Sequence, residues 1–308
     1  MAYTRSRVRR TSRRKGAKRP RRSYAKKRTY RKRGGYTMSK KSLLNLTARK
    51  KRDTMMPLTN TTPTGAGNAS VLADATYVNG VSGGEYLWCP TGRAPSIKTG
   101  PAGSVVNQAT RTATTCFMRG VKETLKISTS SNIPWFHRRI CFCSKDTTFR
   151  YYQASDTPQN TATPVVQNPV RGYVRGWINQ QVNNAGNTTS AWEALIFKGT
   201  YAVDWDNLST ALVDTARIDV KFDKTTVIRS DNERGTVITR NYWHGMNKNL
   251  VYDDDEIADV TSGAVFSVDD KRGMGDYYVY DIFIPGTGGV AGDLLKVDST
   301  TTLYWHEK

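Results

Sequence analysis

The side chains best suited to chemistry in this sequence are basic, and about half of them lie at its start. Residues 1–52 contain 23 of the 47 Lys and Arg residues and no Asp or Glu, whereas residues 53–308 contain 24 basic and 26 acidic residues. Guanidinium and ammonium groups bind phosphate, and tyrosine rings stack on unpaired bases. The first 52 residues are therefore predicted to bind nucleic acid.

We expect residues 1–52 to form a disordered arm, because like charges at this density repel one another and few aliphatic residues are present to form a core. A membrane-adsorbing tail would need an apolar face, which this arm lacks. Residues 53–308 are long enough for one folded domain. The residues predicted to bind nucleic acid are Arg5, Arg7, Arg9, Arg10, Arg13, Arg14, Lys15, Lys18, Arg19, Arg21, Arg22, Lys26, Lys27, Arg28, Arg31, Lys32, Arg33, Tyr24 and Tyr30.

Clusters of Lys and Arg within the arm also have the composition of nuclear import signals. Residues 49–52 allow two other interpretations, a hinge between arm and body or a protease cleavage site. Residues 1–30 lack the apolar stretch of a secretion signal, and no apolar run approaches the roughly 18 residues of a membrane span. The residues predicted to form the import signal are Arg13, Arg14, Lys15, Lys18, Arg19, Arg21, Arg22, Arg49, Lys50, Lys51 and Arg52.

The most concentrated acidic stretch is Asp253, Asp254, Asp255 and Glu256. Carboxylates grouped in this way could hold a Ca²⁺ ion shared between subunits, because hard cations bind several oxygen ligands. A solvated hairpin loop is one alternative. Ion pairing with Arg or Lys of a neighbouring subunit or of the returning arm is another. We expect no other metal site and no organic cofactor, because the common phosphate-loop and paired-histidine motifs do not occur.

The histidines and cysteines are expected to be structural. His137, His244 and His306 each lie within or beside an aromatic strand-like segment, where a histidine is usually packed rather than catalytic. Cys141 and Cys143 face the same side of a predicted strand. A zinc ion would need two further ligands at suitable spacing, so we predict that the thiols pack in the core.

Residues 53–308 have the composition and periodicity of β-structure. Apolar side chains alternate with polar ones in residues 215–225 and 121–129, and residues 276–284 are aromatic and β-branched. A period of two predicts strands with one face in the core. Further strands are predicted at residues 54–60, 85–89, 134–144, 173–178, 194–199, 237–242, 250–253 and 303–306. Loops are predicted at residues 61–70, 90–110, 154–169, 183–190 and 286–292, and one helix at residues 203–212. Many strands without alternating helices favour a sandwich or a jelly roll.

Several stretches of the sequence resemble the capsid proteins of genomoviruses (gemycircularvirus-like viruses) and, more distantly, the coat proteins of geminiviruses. They are residues 44–55 (LNLTARKKRDTM), 111–120 (RTATTCFMRG), 134–142 (PWFHRRICF), 246–256 (MNKNLVYDDDE), 273–278 (GMGDYY) and 302–308 (TLYWHEK). The resemblance extends from the arm to the last residue, and residues 61–70 and 154–169 are the least similar.

The resemblance implies an all-β fold, a single jelly roll that is an eight-stranded antiparallel β-sandwich with a disordered basic N-terminal arm. It also implies a virion protein, with about 60 copies of the chain assembling into a small icosahedral (T=1) shell around circular single-stranded DNA. A nuclear import receptor of the host would deliver the protein to the nucleus. Sixty arms would carry about 1,400 positive charges, enough to neutralise roughly a kilobase of single-stranded DNA. Exposed tryptophans could then anchor subunit contacts, although a core position is the favoured interpretation of each. These tryptophans are Trp177, Trp192, Trp205 and Trp243.

Two alternatives remain open. A cellular single-stranded nucleic-acid-binding protein with a basic tail would carry a basic stripe or an aromatic platform on its body, yet residues 53–308 are nearly neutral. A nuclease on a basic tether would need converging carboxylates or histidines. Residues 253–256 are consecutive and point in divergent directions, so we expect no enzymatic activity.

Overall fold

The computed structural model describes residues 38–96 and 103–308. The predictions for Arg5 to Arg33, including Tyr24 and Tyr30, lie outside these residues. The chain divides into two units, Met1–Leu43 and Leu44–Lys308, and the second contains all the strands that are described. No helix among the described residues is long and apolar enough to cross a membrane.

The regular structure of the described residues is mostly β-strand. The helices are α1 (Lys40–Thr47) and α2 (Gly186–Ile196), and short 3₁₀ helices lie at Thr147–Phe149 and Gln180–Val182. The strands are β1 (Arg49–Met55), β2 (Pro57–Thr61), β3 (Gly67–Leu72), β4 (Thr76–Asn79), β5 (Gly84–Trp88), β6 (Thr115–Thr129), β7 (Trp135–Ser144), β8 (Val166–Asn168), β9 (Gly172–Trp177), β10 (Asp219–Ile228), β11 (Val237–Val251), β12 (Asp255–Ile257), β13 (Val260–Ser262), β14 (Asp276–Pro285) and β15 (Leu294–Glu307).

Two antiparallel sheets form a sandwich. The first sheet has the strand order β1-β15-β6-β11, and β4 also pairs with β15. The second sheet has the order β10-β7-β14-β5. Leu125 and Val297 of the first sheet pack in one cluster with Trp135 and Phe283 of the second. The prediction of an all-β, largely antiparallel sandwich is therefore confirmed.

The second sheet is buried on both faces. Its outer face is covered by α2 and the segment after it, where Trp192, Ile196 and Phe197 pack against Phe142 and Tyr280. Nearly every residue of β7 and β14 is consequently buried. A smaller sheet, β3-β2-β9-β8, contains a parallel pair, β2 with β9.

Strand faces were predicted better than strand ends. In β6, Val121, Leu125 and Ile127 are buried while Lys122 and Lys126 are exposed, as the alternation predicts. Residues 237–242 and 250–251 belong to one strand, β11, whose pairing with β6 is interrupted by a bulge, and residues 252–253 lie beyond its end. Residues 54–60 span the end of β1 and most of β2 rather than one strand, and β10 begins four residues later than predicted.

The predicted helix at residues 203–212 is wrong, because these residues form turns. The Asp204 carboxylate accepts a hydrogen bond from the Thr200 amide at 2.7 Å, and the Asn207 side chain accepts one from the Ser209 amide at 2.8 Å. Short polar side chains that bond to nearby backbone amides compete with helix formation.

The predicted loop at residues 183–190 and strand at residues 194–199 are also wrong, because α2 occupies most of this region. The helix is capped from a distant loop. The Asp156 carboxylate accepts hydrogen bonds from the amides of Asn187 at 3.1 Å and Thr188 at 2.7 Å. This satisfies two of the amides that a helix start leaves unpaired. A cap this far away in the chain leaves no mark in the local sequence.

Asp156→Ala should destabilise the protein by about 1–2 kcal/mol, because the first amides of α2 lose their acceptor. Urea denaturation followed by circular dichroism measures the change. Asp146→Ala is the matched control, because Asp146 caps only a three-residue 3₁₀ turn through the Thr148 amide. Equal losses in the two variants would contradict a specific role of Asp156 in α2.

Candidate functional site

Residues 49–52, predicted to belong to the arm and to the import signal, form the first half of β1. The strand begins at Arg49 and pairs with the end of β15 along its whole length. Lys50 and Arg52 are exposed, whereas Lys51 is only 4% exposed. The ordered sheet therefore begins four residues before the predicted arm–body boundary at residue 53.

Lys51 anchors β1 through a buried ion pair. Its ammonium lies 3.1 Å from the Glu307 carboxylate and donates to the Thr110 carbonyl at 2.7 Å and the Thr112 hydroxyl at 2.9 Å. Burial opposes the charge of Glu307, but hydrogen bonds from Thr112 and Trp305 outweigh burial and lower the pKa of Glu307. Lys51 is therefore inaccessible to phosphate or to a receptor while β1 remains in the sheet.

The acidic residues 253–256 do not act as one cluster. Asp254 forms a two-point ion pair with Arg111, with oxygen–nitrogen distances of 2.5 and 2.8 Å, whereas Asp253, Asp255 and Glu256 are exposed. The ion pairing predicted for this stretch was with a neighbouring subunit or the returning arm, whereas the partner of Asp254 lies within the same folded unit. Within residues 38–96 and 103–308, no group of three or more His, Cys, Asp or Glu side chains is placed to hold a metal ion.

Arg111 is held on several sides. Its guanidinium lies 3.8 Å from the centre of the Tyr252 ring and donates to the carbonyl oxygens of Arg93 and Ala264. Burial would raise the pKa of Asp254, but the hydrogen bonds and charge of Arg111 lower it. The pair joins the segment before β6 to the segment after β11, so its role is structural.

The four cysteines are buried free thiols, and the prediction that they pack in the core is confirmed. Cys141 and Cys143 both face the core between the sheets, where Cys116 also packs. Burial raises the pKa of Cys141 and of Cys143 to about 12. A thiol with such a pKa stays protonated at neutral pH and is therefore a poor nucleophile.

The four tryptophans considered as interface anchors differ in exposure. Trp177 and Trp192 are at most 1% exposed and belong to the core, and Trp205 is half-buried. Trp243 on β11 is 54% exposed. Among the four, Trp243 therefore offers the largest fraction of its surface to another molecule.

Five polar side chains meet between the two sheets at positions that the sequence did not single out as a group. Glu123 comes from β6, His137 and Arg139 from β7, Arg175 from β9 and Asp281 from β14. Each is at most 1% exposed. We call these five residues the buried ion network.

Within the buried ion network, two arginines bridge two carboxylates. Arg139 binds Asp281 through two hydrogen bonds of 2.7 and 2.9 Å and lies 2.5 Å from Glu123. Arg175 lies 3.0 Å from Glu123 and 2.6 Å from Asp281. Burial would raise the pKa of both carboxyl groups, but the charge of Arg139, assisted by Arg175, holds both pKa values below their usual range. The four charges therefore balance.

His137 completes the buried ion network as a neutral ring. Its Nε2 lies 2.8 Å from Asp281, and its Nδ1 lies 3.2 Å from a guanidinium nitrogen of Arg240. Arginine has no acceptor, so Nδ1 must accept and Nε2–H must donate. Burial agrees with this assignment, because it lowers the pKa of His137 despite the neighbouring carboxylate.

One sequence signal could have revealed the network. Glu123 lies in the apolar phase of residues 121–129, between Val121 and Leu125, and Asp281 lies inside the apolar run of residues 276–284. A carboxylate that faces the core needs a cationic partner. Nothing local identifies Arg139 and Arg175 as those partners, because they come from other strands.

The buried ion network is closed to solvent, so its geometry serves to hold strands together rather than to bind a substrate. No model of a known protein family matches the chain, and no curated protein matches it significantly. Its interpretation therefore depends on the residues and contacts of the chain itself.

Arg139→Met should destabilise the protein by about 3–5 kcal/mol, because it leaves two buried carboxylates with one arginine. Arg272→Met is the matched control, because Arg272 forms an exposed ion pair with Asp270 at 2.7 Å. Its cost should be much smaller, because exposed ion pairs contribute little to stability. Chemical denaturation measures both. A cost for Arg139→Met no larger than that of the control would contradict the structural role of the network.

His244 should make stability depend on pH. Burial, followed by the nearby charge of Arg139, lowers the pKa of His244 to about 4, whereas an unfolded histidine has a pKa of about 6.5. The unfolded chain therefore binds the extra proton, and stability is lost as the pH falls from about 6.5 towards 4. His244→Gln removes this dependence, so the stability difference between wild type and variant should change by up to about 1.4 kcal/mol per pH unit in that window.

Denaturation midpoints between pH 7.5 and 4.5 test this dependence. Other titrating groups cancel in the difference, including Asp276, whose pKa burial raises to about 6. His306→Gln is the control, because its ring is only partly buried and should contribute a smaller slope. A wild-type minus His244→Gln difference that does not vary with pH would contradict the prediction.

Proposed function

We propose that this protein is a viral capsid protein that assembles into a small icosahedral shell and packages circular single-stranded DNA through its basic arm. The observation that carries the proposal is the order of eight strands in the two main sheets. In chain order these are β1, β5, β6, β7, β10, β11, β14 and β15. The first sheet contains the first, eighth, third and sixth of them, and the second sheet contains the second, seventh, fourth and fifth.

Each strand of this set lies in the other sheet from the strand before it, except that the fourth and fifth, β7 and β10, share the second sheet. The first and last strands, β1 and β15, are neighbours. Such an order is the one expected of a jelly roll, a fold that viral capsid domains use widely. We therefore propose a single jelly roll in which β4 and the smaller sheets are additions to the eight strands. Lectins and other proteins also use this fold, so the fold alone does not assign the function.

The arm supplies the second support. Residues 1–48 contain 19 Lys and Arg residues and no carboxylate, and β1 follows directly at Arg49. About 60 such arms inside a shell would neutralise on the order of a kilobase of single-stranded DNA. The resemblance to genomovirus capsid proteins agrees with this ligand. On the same basis we propose that a host import receptor binds the arm and that the protein acts in the virion and the host nucleus.

Electron microscopy and sedimentation of the full-length protein, with and without circular single-stranded DNA, test the proposal. We expect uniform particles about 20 nm across, the size that about 60 domains of this length would form. The comparison variant is a full-length chain with Lys and Arg at residues 5–33 replaced by Gln. A truncation at Asp53 would be a poorer comparison, because it removes Lys51 and half of β1.

Particles of the wild-type protein should retain DNA in low-salt buffer. The arm variant should retain much less DNA, as the ratio of absorbance at 260 and 280 nm reports. Particles that hold equal amounts of DNA in both proteins would contradict packaging by the arm. A monomer that binds DNA but never assembles under any condition would contradict the capsid proposal and favour a cellular single-stranded nucleic-acid-binding protein.

A further inference from the structure

The outward face of the first sheet, formed by β1, β15, β6 and β11, is open in the described part of the chain. Its inner face packs on the second sheet, whose own outer face lies under α2. The side chains that β1, β6 and β15 direct outward are exposed or half-buried, in alternation with buried ones. We call this surface the open face.

The open face is strongly basic. Among the described residues it carries one carboxylate, Asp298, which lies 3.5 Å from Lys296. The other basic residues form no ion pair with a described carboxylate. The basic residues of the open face are Lys50, Arg52, Arg119, Lys122, Lys126 and Lys296.

This charge is local to the open face. Residues 44–308 contain 28 basic and 26 acidic residues, so they are nearly neutral as a whole. Setting aside these six basic residues and Asp298, the remainder of this unit contains 22 basic and 25 acidic residues. The folded unit therefore concentrates positive charge on one sheet face and carries a negative balance elsewhere, which whole-chain charge counting conceals.

Aromatic rings lie among these charges. The indole of Trp243 is 54% exposed and lies 5.9 Å from the Tyr304 ring, at an angle of 56°. It also lies across Gly120, where an added Cβ would come within 3.0 Å of the indole. Phe117 and His306 form a second ring pair on the same face, 6.1 Å apart. The absence of a side chain at Gly120 therefore lets Trp243 lie against the sheet beside Tyr304.

Strand pairing places cations next to both the exposed Trp243 ring and the half-buried Tyr304 ring. Trp243 on β11 is opposite Lys122 on β6, and Tyr304 on β15 is opposite Arg52 on β1. Paired strands are about 4.8 Å apart, so each ring lies within one or two strand spacings of a cation. Positive groups that track a phosphate backbone beside rings that stack on bases are the typical elements of a single-stranded nucleic-acid site.

We infer that the open face is a second binding site for single-stranded DNA, with bases stacked on Trp243 and Tyr304 and phosphates bound near Arg52, Lys122 and Lys126. The choice of DNA as the ligand rests on the proposed function. A duplex fits this surface less well, because its bases are already stacked and cannot reach the two rings. Since β1 follows the basic arm in the chain, DNA bound by the arm would be held at high local concentration near this site.

The test uses the full-length chain with Lys and Arg at residues 5–33 replaced by Gln, so that the open face supplies the remaining affinity for oligothymidylate. In this background Trp243→Ala should weaken binding by about 5- to 100-fold, the range found when one stacking ring is removed. Lys122→Gln combined with Lys126→Gln should reduce the slope of log affinity against log salt by about 1.4, because two phosphate contacts are lost. Fluorescence anisotropy measures both.

Matched controls come from residues outside the open face. Tyr201→Ala removes another exposed ring, and Lys198→Gln with Lys271→Gln removes two other exposed charges. These variants should bind as the parent does. Photocross-linking of oligothymidylate to the wild-type chain should also label the peptides that contain Trp243 or Tyr304.

Three outcomes would overturn the inference: no DNA binding by the arm variant, equal losses in the test and control variants, or cross-links confined to residues 1–48. Equal affinity for duplex DNA or for anionic lipid vesicles, unchanged by Trp243→Ala, would also overturn it, because binding would then depend on charge alone. If shells form but the open-face variants bind oligothymidylate as tightly as the parent, the open-face inference is wrong and the capsid proposal stands. If the protein never assembles but the open-face variants lose DNA affinity as expected, the open-face inference stands and the capsid proposal is wrong.

Discussion

The rest of the structure depends on the buried ion network between the two sheets. Each ion removed from water costs several kcal/mol unless it is well paired, so four charges are tolerated there only in a closely defined geometry. A slip of β6 or β14 by one residue would turn Glu123 or Asp281 away from Arg139, and in β6 it would also expose the apolar face of the strand. The network therefore adds a penalty for wrong registers to the nonspecific gain from apolar burial. Because Arg175 lies on β9, the same contacts also hold the smaller sheet against the sandwich.

The register that the network specifies also determines what the protein presents to solvent. With Glu123, Leu125 and Ile127 directed inward, β6 must direct Lys122 and Lys126 outward. The same alternation buries Lys51 beside Glu307 and exposes Lys50 and Arg52. One strand thus uses neighbouring basic residues for two purposes, since an ion pair fixes the strand while the next side chain remains available for a ligand.

The sequence predicts the fold class and most strand positions, because apolar alternation is a local property of the chain. It predicts the buried cysteines for the same reason. It fails for α2, whose cap comes from Asp156, and for residues 203–212, where side-chain bonds to the backbone replace a helix. The ion network and the open face are also beyond local reasoning. Their residues come from separate strands, and only the pairing of β1, β15, β6 and β11 brings them onto common faces.

Separation of charge along the chain has a physical consequence for the proposed assembly. A nearly neutral folded unit can pack against copies of itself with little long-range repulsion, whereas 19 positive charges before β1 on each copy repel one another wherever many arms share a small volume. Single-stranded DNA removes this repulsion by replacing many small counterions with one polyanion, and the released ions favour binding at low salt. Shell closure and DNA binding would then be thermodynamically coupled, since each lowers the free-energy cost of the other. The open face adds to this coupling because contacts made by the sheet are available in a fixed geometry, without the entropy cost of ordering a charged segment. The arm would therefore contribute most of the charge and salt dependence, and the open face would contribute the preference for unpaired bases.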